Sequence, residues 1–236
     1  MPRIDDAAYV NEQYETEDAL RARKAAYANA EGDDPRELAF EAVAEARPRR
    51  VLEVGGGEGE LAERIVHELG AELVGIDQSE RMVEIQRSRG IDAKVGDAQA
   101  LPFGDREFDV AVAAWMLFHV PDVEGALAEL ARVLKPSGRL VAVTNASDHF
   151  EDLWRLAGDE RLRFSFRSEN GAEILGRHFK QIERRDSYGA TTMDPDTIRH
   201  FARSSENLSA LAAVAERGET VRVRTHSTIF VAEGPA

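Results

Sequence analysis

The feature that most constrains this chain is a glycine-rich loop between a predicted strand and a predicted helix. The loop Gly55-Gly56-Gly57-Glu58-Gly59 follows the apolar run Val51–Val54 and leads into the amphipathic stretch Glu60–Leu69. Glycine lets a backbone turn sharply and approach a ligand without a Cβ in the way. The pattern therefore indicates a ligand-binding turn at the carboxyl end of a buried strand.

Two kinds of nucleotide-binding loop compete for this position. A dinucleotide fingerprint requires glycine at its first, third and sixth places, but the sixth place counted from Gly55 is Glu60. A carboxylate there would face a pyrophosphate of the same charge. The pattern that fits is an acidic residue, Glu53, followed by glycine at alternate positions.

Short apolar runs alternate with amphipathic stretches between residues 50 and 145. Strands separated by helices of this length form parallel βαβ units with right-handed crossovers. The prediction is an α/β fold with a doubly wound, mostly parallel, seven-stranded sheet. The predicted strands are 51–54, 73–76, 93–95, 108–113, 139–144, 181–187 and 225–232.

Two helical additions to this sheet are expected. Residues 1–47 are polar and helix-prone and predict an N-terminal helical cap, and residues 48–236 would form the main domain. The segment 188–220 is predicted to be an insertion outside the sheet, with two short helices, that acts as a lid. A helix is also expected over 169–179.

Composition limits the possible partners. The formal net charge of −14 disfavours nucleic acid, because proteins that bind the phosphate backbone present a basic surface. The sequence contains no cysteine, which removes thiolate metal sites and cysteine nucleophiles. No apolar run approaches the ~18 residues that span a membrane. The expectation is a cytoplasmic protein with neither a nucleic-acid nor a membrane partner.

The loop, led by Glu53, resembles motif I of class I S-adenosylmethionine-dependent methyltransferases, in the branch that acts on small molecules (methyltransferase type 11). The match extends over residues 50–145: Asp77 ends the second predicted strand, Asp97 follows the third, and 130–138 precede the fifth. The resemblance implies a Rossmann-like methyltransferase fold, S-adenosylmethionine as cofactor and S-adenosylhomocysteine as product. It implies the following cofactor-binding residues: Glu53, Gly55, Gly56, Gly57, Gly59, Asp77, Gln78, Asp97, Ala98, Ala114 and Trp115.

The resemblance also indicates where the N-terminal cap would contribute. In similar enzymes an N-terminal helix covers the cofactor and supplies an aromatic side chain and an arginine. Tyr14 and Arg23 occupy matching places, although an ordinary amphipathic helix would contain such residues as well.

Two histidines are candidates for a catalytic base. His119 lies shortly after the fourth predicted strand. It could take a proton from the methyl acceptor, orient the acceptor, or pack under the cofactor. His149 follows the fifth strand on the same edge of the sheet. No cluster of histidines and carboxylates has metal-ligand spacing, so no metal is expected.

The fourth motif narrows the acceptor. Methyltransferases that modify planar amides or DNA bases resemble one another in an Asn/Asp-Pro-Pro-aromatic tetrad, whereas this chain reads Ala113-Ala114-Trp115-Met116. The expected reaction is in-line methyl transfer to an oxygen or nitrogen, in preference to carbon, of a small-molecule acceptor by a monomer or homodimer. The alternatives are a non-catalytic regulator or partner subunit that binds the cofactor, and an RNA or protein methyltransferase.

Overall fold

The computed structural model describes Asp5, residues 18–158 and residues 165–236. The strands are β1 (Glu31–Gly32), β2 (Arg50–Val54), β3 (Glu72–Asp77), β4 (Asp92–Val95), β5 (Phe108–Ala114), β6 (Leu134–Asn145), β7 (Phe179–Met193) and β8 (Val221–Pro235). The α-helices are α1 (Asp18–Ala25), α2 (Pro35–Glu45), α3 (Glu60–Leu69), α4 (Glu80–Ser88), α5 (Val123–Val133), α6 (Glu151–Ala157), α7 (Gly171–Leu175), α8 (Pro195–Arg203) and α9 (Ala212–Ala215). Short 3₁₀ helices cover Leu117–His119 and Glu206–Leu211.

All the strands of the described residues form one sheet in the order β1-β7-β8-β6-β5-β2-β3-β4. Strands β2 to β6 are parallel, whereas β8 runs antiparallel to both β6 and β7. The chain builds outward from β2 to β4 and then returns to the other side of β2 with β5. This reversal creates a crevice at the carboxyl ends of the strands, which is where open α/β sheets bind ligands. The predicted doubly wound α/β fold is confirmed.

The predicted strand count of seven is wrong by one short strand. Glu31 and Gly32 pair with Ala190 and Gly189 and add β1 at the edge of the sheet. Two residues carry no hydrophobic alternation, so this strand has no signal in the sequence. Gly189 permits the approach, because a Cβ on it would lie 2.4 Å from the carbonyl oxygen of Glu31.

The predicted start of the lid at residue 188 is also wrong. β7 continues to Met193, and its residues from Tyr188 onward pair with His226 back to Val221 of β8. Residues 188–193 show only weak apolar alternation, so the sequence does not indicate a strand there. Cross-strand pairing with β8 stabilises this long hairpin. The helical part of the insertion therefore occupies residues 194–220 between the two strands.

The two faces of the sheet carry separate hydrophobic cores. One face packs against α2, α3 and α4 through residues such as Val43, Ile65 and Val83. The other packs against α5 and α7 through residues such as Leu130 and Leu175. Helix α2, predicted as part of a cap, therefore belongs to a helical layer of the sheet.

A third core joins the N-terminal segment to the insertion. Ala26, just after α1, is buried in the same cluster as Phe150, Ile198 and Phe201. The hydroxyl of Thr191 donates to the carbonyl oxygen of Ala26 at 2.8 Å. The segment around α1 and the helices of the insertion thus pack as one unit beside the carboxyl edge of the sheet.

The helix expected over 169–179 is shorter than predicted. It is reduced to α7, and Phe179 already belongs to β7. Burial of Phe179 in the sheet core explains why the chain leaves the helical conformation early.

Candidate functional site

The glycine-rich loop forms the turn that the sequence predicts. Gly55 donates its N–H to the carbonyl oxygen of Ile76 on β3 at 2.8 Å, which ties the start of the loop to the neighbouring strand. Gly57 has a φ of +56°, a conformation that favours glycine. Its carbonyl oxygen accepts a hydrogen bond from the buried side chain of Gln86 at 2.9 Å. The loop is therefore a turn with left-handed glycines, held in place by hydrogen bonds to Ile76 and Gln86.

Glu53 lies beneath this loop as a buried carboxylate. Its side chain contacts Gly56 so closely that a Cβ on Gly56 would fall 2.1 Å from Oε2. Among the described residues, no hydrogen-bond donor reaches that buried Oε2. Burial, followed by the negative charge of Asp77, raises the pKa of Glu53 to about 7. An unpartnered buried carboxylate of this kind is suited to a cationic ligand.

Asp77 ends β3 beside the same loop. It is 8% exposed, and its Oδ1 accepts the N–H of Ser79 at 3.0 Å. Burial raises its pKa to about 6 against the opposing effect of hydrogen bonds from the backbones of Ser79, Gly57 and Gln78. A carboxylate at this place can accept hydrogen bonds from two vicinal hydroxyls together, and the contact of Asp77 to the cofactor stays a prediction.

Three further residues that the sequence predicts to bind the cofactor follow β3 and β4, at the carboxyl edge of the sheet. Asp97 is exposed, and its Oδ1 accepts the backbone N–H and the side-chain amide of Gln99 at 2.8 and 3.0 Å. Ala98 is buried in the sheet core, and Gln78 is exposed. The loop between β4 and β5 thus presents one carboxylate at the rim of the crevice.

The carboxyl end of β5 carries Ala114 and Trp115. Trp115 has a φ of +53°, which is unfavourable for a bulky residue by about 1–3 kcal/mol. Its backbone N–H donates to Val143 at 2.8 Å, and its indole Nε1 donates to Asn145 Oδ1 at 3.0 Å. Met116 follows and lies over the glycine loop, with its Cβ 2.7 Å from where a Cβ on Gly55 would stand. The residues after β5 therefore close over the loop after β2.

His119 lies on the same edge, in the 3₁₀ turn after β5. Its backbone N–H donates to the carbonyl oxygen of Met116 at 2.8 Å, and its partly buried ring packs at 4.5 Å from that of Phe118. The structure thus keeps it near the crevice. A role as base stays a prediction.

His149 has a different environment from that expected of a catalytic base. Its Nε2 lies 2.8 Å from the hydroxyl of Tyr27, and its Nδ1 lies 3.0 Å from the carbonyl oxygen of His226. Burial lowers its pKa to about 4. Both ring nitrogens are engaged within the protein, so the geometry favours a structural contact between the N-terminal segment and the carboxyl edge.

Helix α1 covers the glycine loop. Lys24 pairs with Glu58 at 2.5 Å and with Glu60 at 2.9 Å, on either side of Gly59. Leu20 lies 3.4 Å from where a Cβ on Gly57 would stand. Lys24 and Leu20 could not be assigned to the site from the sequence, because no local pattern connects α1 to the loop.

Arg23 and Tyr14 are the two N-terminal residues that the sequence predicts to bind the cofactor. The Nε of Arg23 donates to the carbonyl oxygen of Ala19 at 3.3 Å within α1. Tyr14 lies outside the described residues. A cofactor contact of either residue stays a prediction.

Within residues 18–158 and 165–236, no group of three or more histidines and carboxylates is arranged to hold a metal ion. The helices in those ranges are all too short or too polar to cross a membrane.

Comparison with known proteins places the core of the chain in a family. Residues 52–142 match the family model described as a methyltransferase domain. The O-methyltransferase cnsE of Penicillium expansum is 37% identical over 112 residues, which are 44% of this chain and 41% of that protein. The demethylmenaquinone methyltransferase of Thermus thermophilus is 39% identical over 115 residues, 46% of this chain and 52% of that protein.

The chain thus spans about half the length of these relatives. Among solved structures, that of the [4+2]-cyclase SpnF covers 100% of this chain and 99% of its own with a TM-score of 0.65 and 20% identity, which shows a shared fold. The family match covers β2 to most of β6 and includes Glu53, Asp77, Asp97 and Trp115. Residues 52–142 thus form a methyltransferase domain, and they carry the motifs of the class I S-adenosylmethionine-dependent methyltransferases.

Proposed function

We propose that the protein transfers a methyl group from S-adenosylmethionine to a small acceptor. The observation that carries the proposal is the pair of buried carboxylates, Glu53 and Asp77, beside the glycine turn. A buried carboxylate without a donor suits the ammonium of the cofactor, and Asp77 suits its ribose hydroxyls. When bound, the cofactor supplies a methyl group on a sulfonium, which is strongly electrophilic.

The chain's own residues divide the work of holding this ligand. Glu53, Asp77 and the backbone of the glycine loop would hold the cofactor, with Asp97 and Ala98 at the adenine side. Met116 and Leu20 cover the loop and would exclude water from it. Exclusion of water strengthens every charge interaction inside the crevice.

The acceptor is proposed to be a small hydroxylated molecule, of the phenol or enol type. The crevice beside β5 and β6 is flanked by α1 and the helices of the insertion, which would leave room for a metabolite rather than a macromolecule. A phenolate or enolate carries nucleophilic character on oxygen and on carbon. Acceptors of this class are therefore compatible with the names of the two relatives, an O-methyltransferase and a demethylmenaquinone methyltransferase. Methylation of carbon is thus as well supported as that of oxygen, and nitrogen less so.

The mechanism requires positioning more than acid–base chemistry. Holding two reactants in line is worth up to ~7–11 kcal/mol, whereas one general base contributes ~10²–10⁴-fold. His119, at the carboxyl end of β5, is the candidate to take the acceptor's proton. His149, with both ring nitrogens engaged and its pKa lowered to about 4, would instead hold the N-terminal segment in place.

The test is calorimetry with S-adenosylhomocysteine, followed by release of labelled methyl groups onto a panel of phenols, enols and amines. The proposal expects saturable binding and turnover of a hydroxylated acceptor. Absence of binding at millimolar ligand would refute it. Transfer to amines alone would refute the acceptor class.

The methyl-release assay also distinguishes methyl transfer from other functions of the same fold. The shared fold of the [4+2]-cyclase SpnF indicates that this architecture also serves other reactions. Binding of the cofactor without methyl release onto any acceptor would favour a non-catalytic or non-methylating protein. Tight binding of tRNA at physiological salt would revive an RNA substrate, which the net charge of −14 disfavours.

A further inference from the structure

Asn145, the last residue of β6, has an amide whose orientation is fixed by its neighbours. Its Oδ1 lies 3.0 Å from the indole Nε1 of Trp115 and 2.9 Å from the hydroxyl of Ser227. Because an indole N–H can only donate, the oxygen of the amide must face Trp115. The amide nitrogen, Nδ2, therefore points away from both of these partners.

The Nδ2 group is an unused donor within the described residues. No acceptor in residues 18–158 or 165–236 lies within hydrogen-bond distance of it, and the side chain is half-buried. The N–H groups of an amide held in one orientation would satisfy an acceptor atom at low entropic cost. Asn145 is thus preset to bind an oxygen.

Asn145 lies apart from Glu53 and Asp77, and of the predicted cofactor-binding residues it contacts Trp115. Glu53 and Asp77 mark the carboxyl ends of β2 and β3, whereas Asn145 ends β6, two strands away from β2. β5, with Trp115 at its end, lies between them. The methyl acceptor has to approach from the side of the crevice that the cofactor leaves free, which is the side of β5 and β6.

The backbone of Trp115 points to the same edge. Its left-handed φ of +53° is maintained by a main-chain hydrogen bond and by the indole contact to Asn145. Strained residues that are held from several sides concentrate at functional sites. Here the strained residue is the one whose indole N–H, which can only donate, sets the orientation of the Asn145 amide.

We propose that Asn145 binds the methyl acceptor by donating from Nδ2 to an oxygen of that molecule. The acceptor would then carry a carbonyl, phenolate or enolate oxygen near the atom that is methylated. This inference rests on the proposed function and deepens it, since it assigns the residue that recognises the oxygen.

The test compares two small ligands on protein saturated with S-adenosylhomocysteine. 1-Tetralone has a carbonyl that only accepts hydrogen bonds, and tetralin is the same bicycle without the oxygen. Calorimetry should show that the unaltered protein binds 1-tetralone about three- to tenfold more tightly than tetralin, the value of one neutral hydrogen bond. Asn145→Ala should remove this preference, and Asn145→Asp should remove it while retaining an oxygen for Trp115.

Asn29→Ala is the matched control. This exposed asparagine donates to the carbonyl oxygen of Thr192 at 3.3 Å, and its loss should leave the preference intact. Affinity for S-adenosylhomocysteine is measured on every variant and should be the same in Asn145→Asp, which keeps the contact to Trp115, as in the unaltered protein.

Three results would overturn the inference while the proposed function stands. They are equal affinity of the unaltered protein for the two ligands (lack of binding of both included), a preference that survives in Asn145→Ala, and a tenfold loss of S-adenosylhomocysteine affinity in Asn145→Asp. The last would place Asn145 on the cofactor. Failure of the proposed function is distinguishable, because it would appear as absence of cofactor binding or of methyl release in the unaltered protein.

Discussion

Glu53 on β2 and Asp77 on β3 form a coupled pair of buried carboxyl groups on adjacent parallel strands. The pKa of Glu53 is raised to about 7 by burial and then by the charge of Asp77. The strand register brings them together, because Val54 pairs with Ile76, one residue before Asp77. The cofactor-free protein therefore holds a proton at this site near neutral pH.

The pair predicts how stability depends on pH. The unfolded chain releases the Glu53 proton near its ordinary pKa of 4.5, but the folded protein keeps it until about pH 7. Since the folded state binds the extra proton, stability falls as pH rises through this window, by up to roughly 3 kcal/mol at 1.36 kcal/mol per unit. Glu53→Gln should lack this contribution and keep that of Asp77, whose pKa is raised to about 6, so it should be more stable than the unaltered protein at pH 8 and bind S-adenosylhomocysteine poorly.

Denaturant titrations at pH 5 and pH 8, with calorimetry at pH 8, measure both effects. Equal destabilisation of the two proteins between these pH values would show that Glu53 is ionised in the folded state. Unchanged affinity in Glu53→Gln would show that the carboxylate does not contact the ligand.

Asp77→Asn should weaken S-adenosylhomocysteine binding more than Asp97→Asn. Asp77 is buried and its hydrogen bonds to a ligand would be charge-assisted, so we expect a loss of roughly tenfold or more. Asp97 is exposed and already accepts two hydrogen bonds from Gln99, so its loss should be smaller. Calorimetry on both variants checks the order, and a larger loss for Asp97→Asn would reverse the assignment.

Gly57→Ala and Gly70→Ala provide a matched pair of substitutions. Both glycines have φ near +60°, so both variants should lose about 1 kcal/mol of stability. A Cβ on Gly70 meets nothing within 4 Å, whereas one on Gly57 would stand in the proposed cofactor cradle and 3.4 Å from Leu20. Thermal melts should therefore shift similarly, and only Gly57→Ala should lose cofactor affinity. Normal binding by that variant would mean that the loop is a turn without a ligand.

The two histidines should behave differently when replaced. His119→Ala should lower kcat about 100-fold on a hydroxylated acceptor and leave S-adenosylhomocysteine affinity unchanged. Tyr27→Phe, which breaks the contact to His149, should lower the free energy of unfolding by about 1 kcal/mol and change kcat only a few-fold. A large fall in kcat for Tyr27→Phe, with an unaffected His119→Ala, would make the Tyr27–His149 pair catalytic.

The parts of the fold that local signals determine could be predicted from the sequence. Helix α3 runs from Glu60 to Leu69 as predicted, because a glycine turn begins it and Gly70 ends it. Ser79 caps α4 by accepting the N–H of Met82 at 3.3 Å, and a serine directly before a helix is a local signal of this kind. Glu53 and Asp77 could be selected because the stretches that contain them resemble motifs of a known family.

The contacts that join distant segments could not be predicted in this way. Trp115 and Asn145 are 30 residues apart, and neither the strained φ nor the amide orientation has a local pattern. Lys24 reaches Glu58 from 34 residues away. Residues 188–193 became strand because β8 offered a partner for each of them, which is a property of the tertiary structure and overrides local preference.

The core shared by Ala26, Ile198 and Phe201 limits how the acceptor preference of this enzyme could be redesigned. Grafting a relative's insertion between β7 and β8 would remove the side chains against which the N-terminal segment packs. That segment also carries Lys24, the contact to the glycine loop. A chimera with a new insertion alone should therefore lose cofactor affinity together with its old acceptor. Successful exchange requires both segments to be taken from the same donor enzyme, although about 170 residues of sequence separate them.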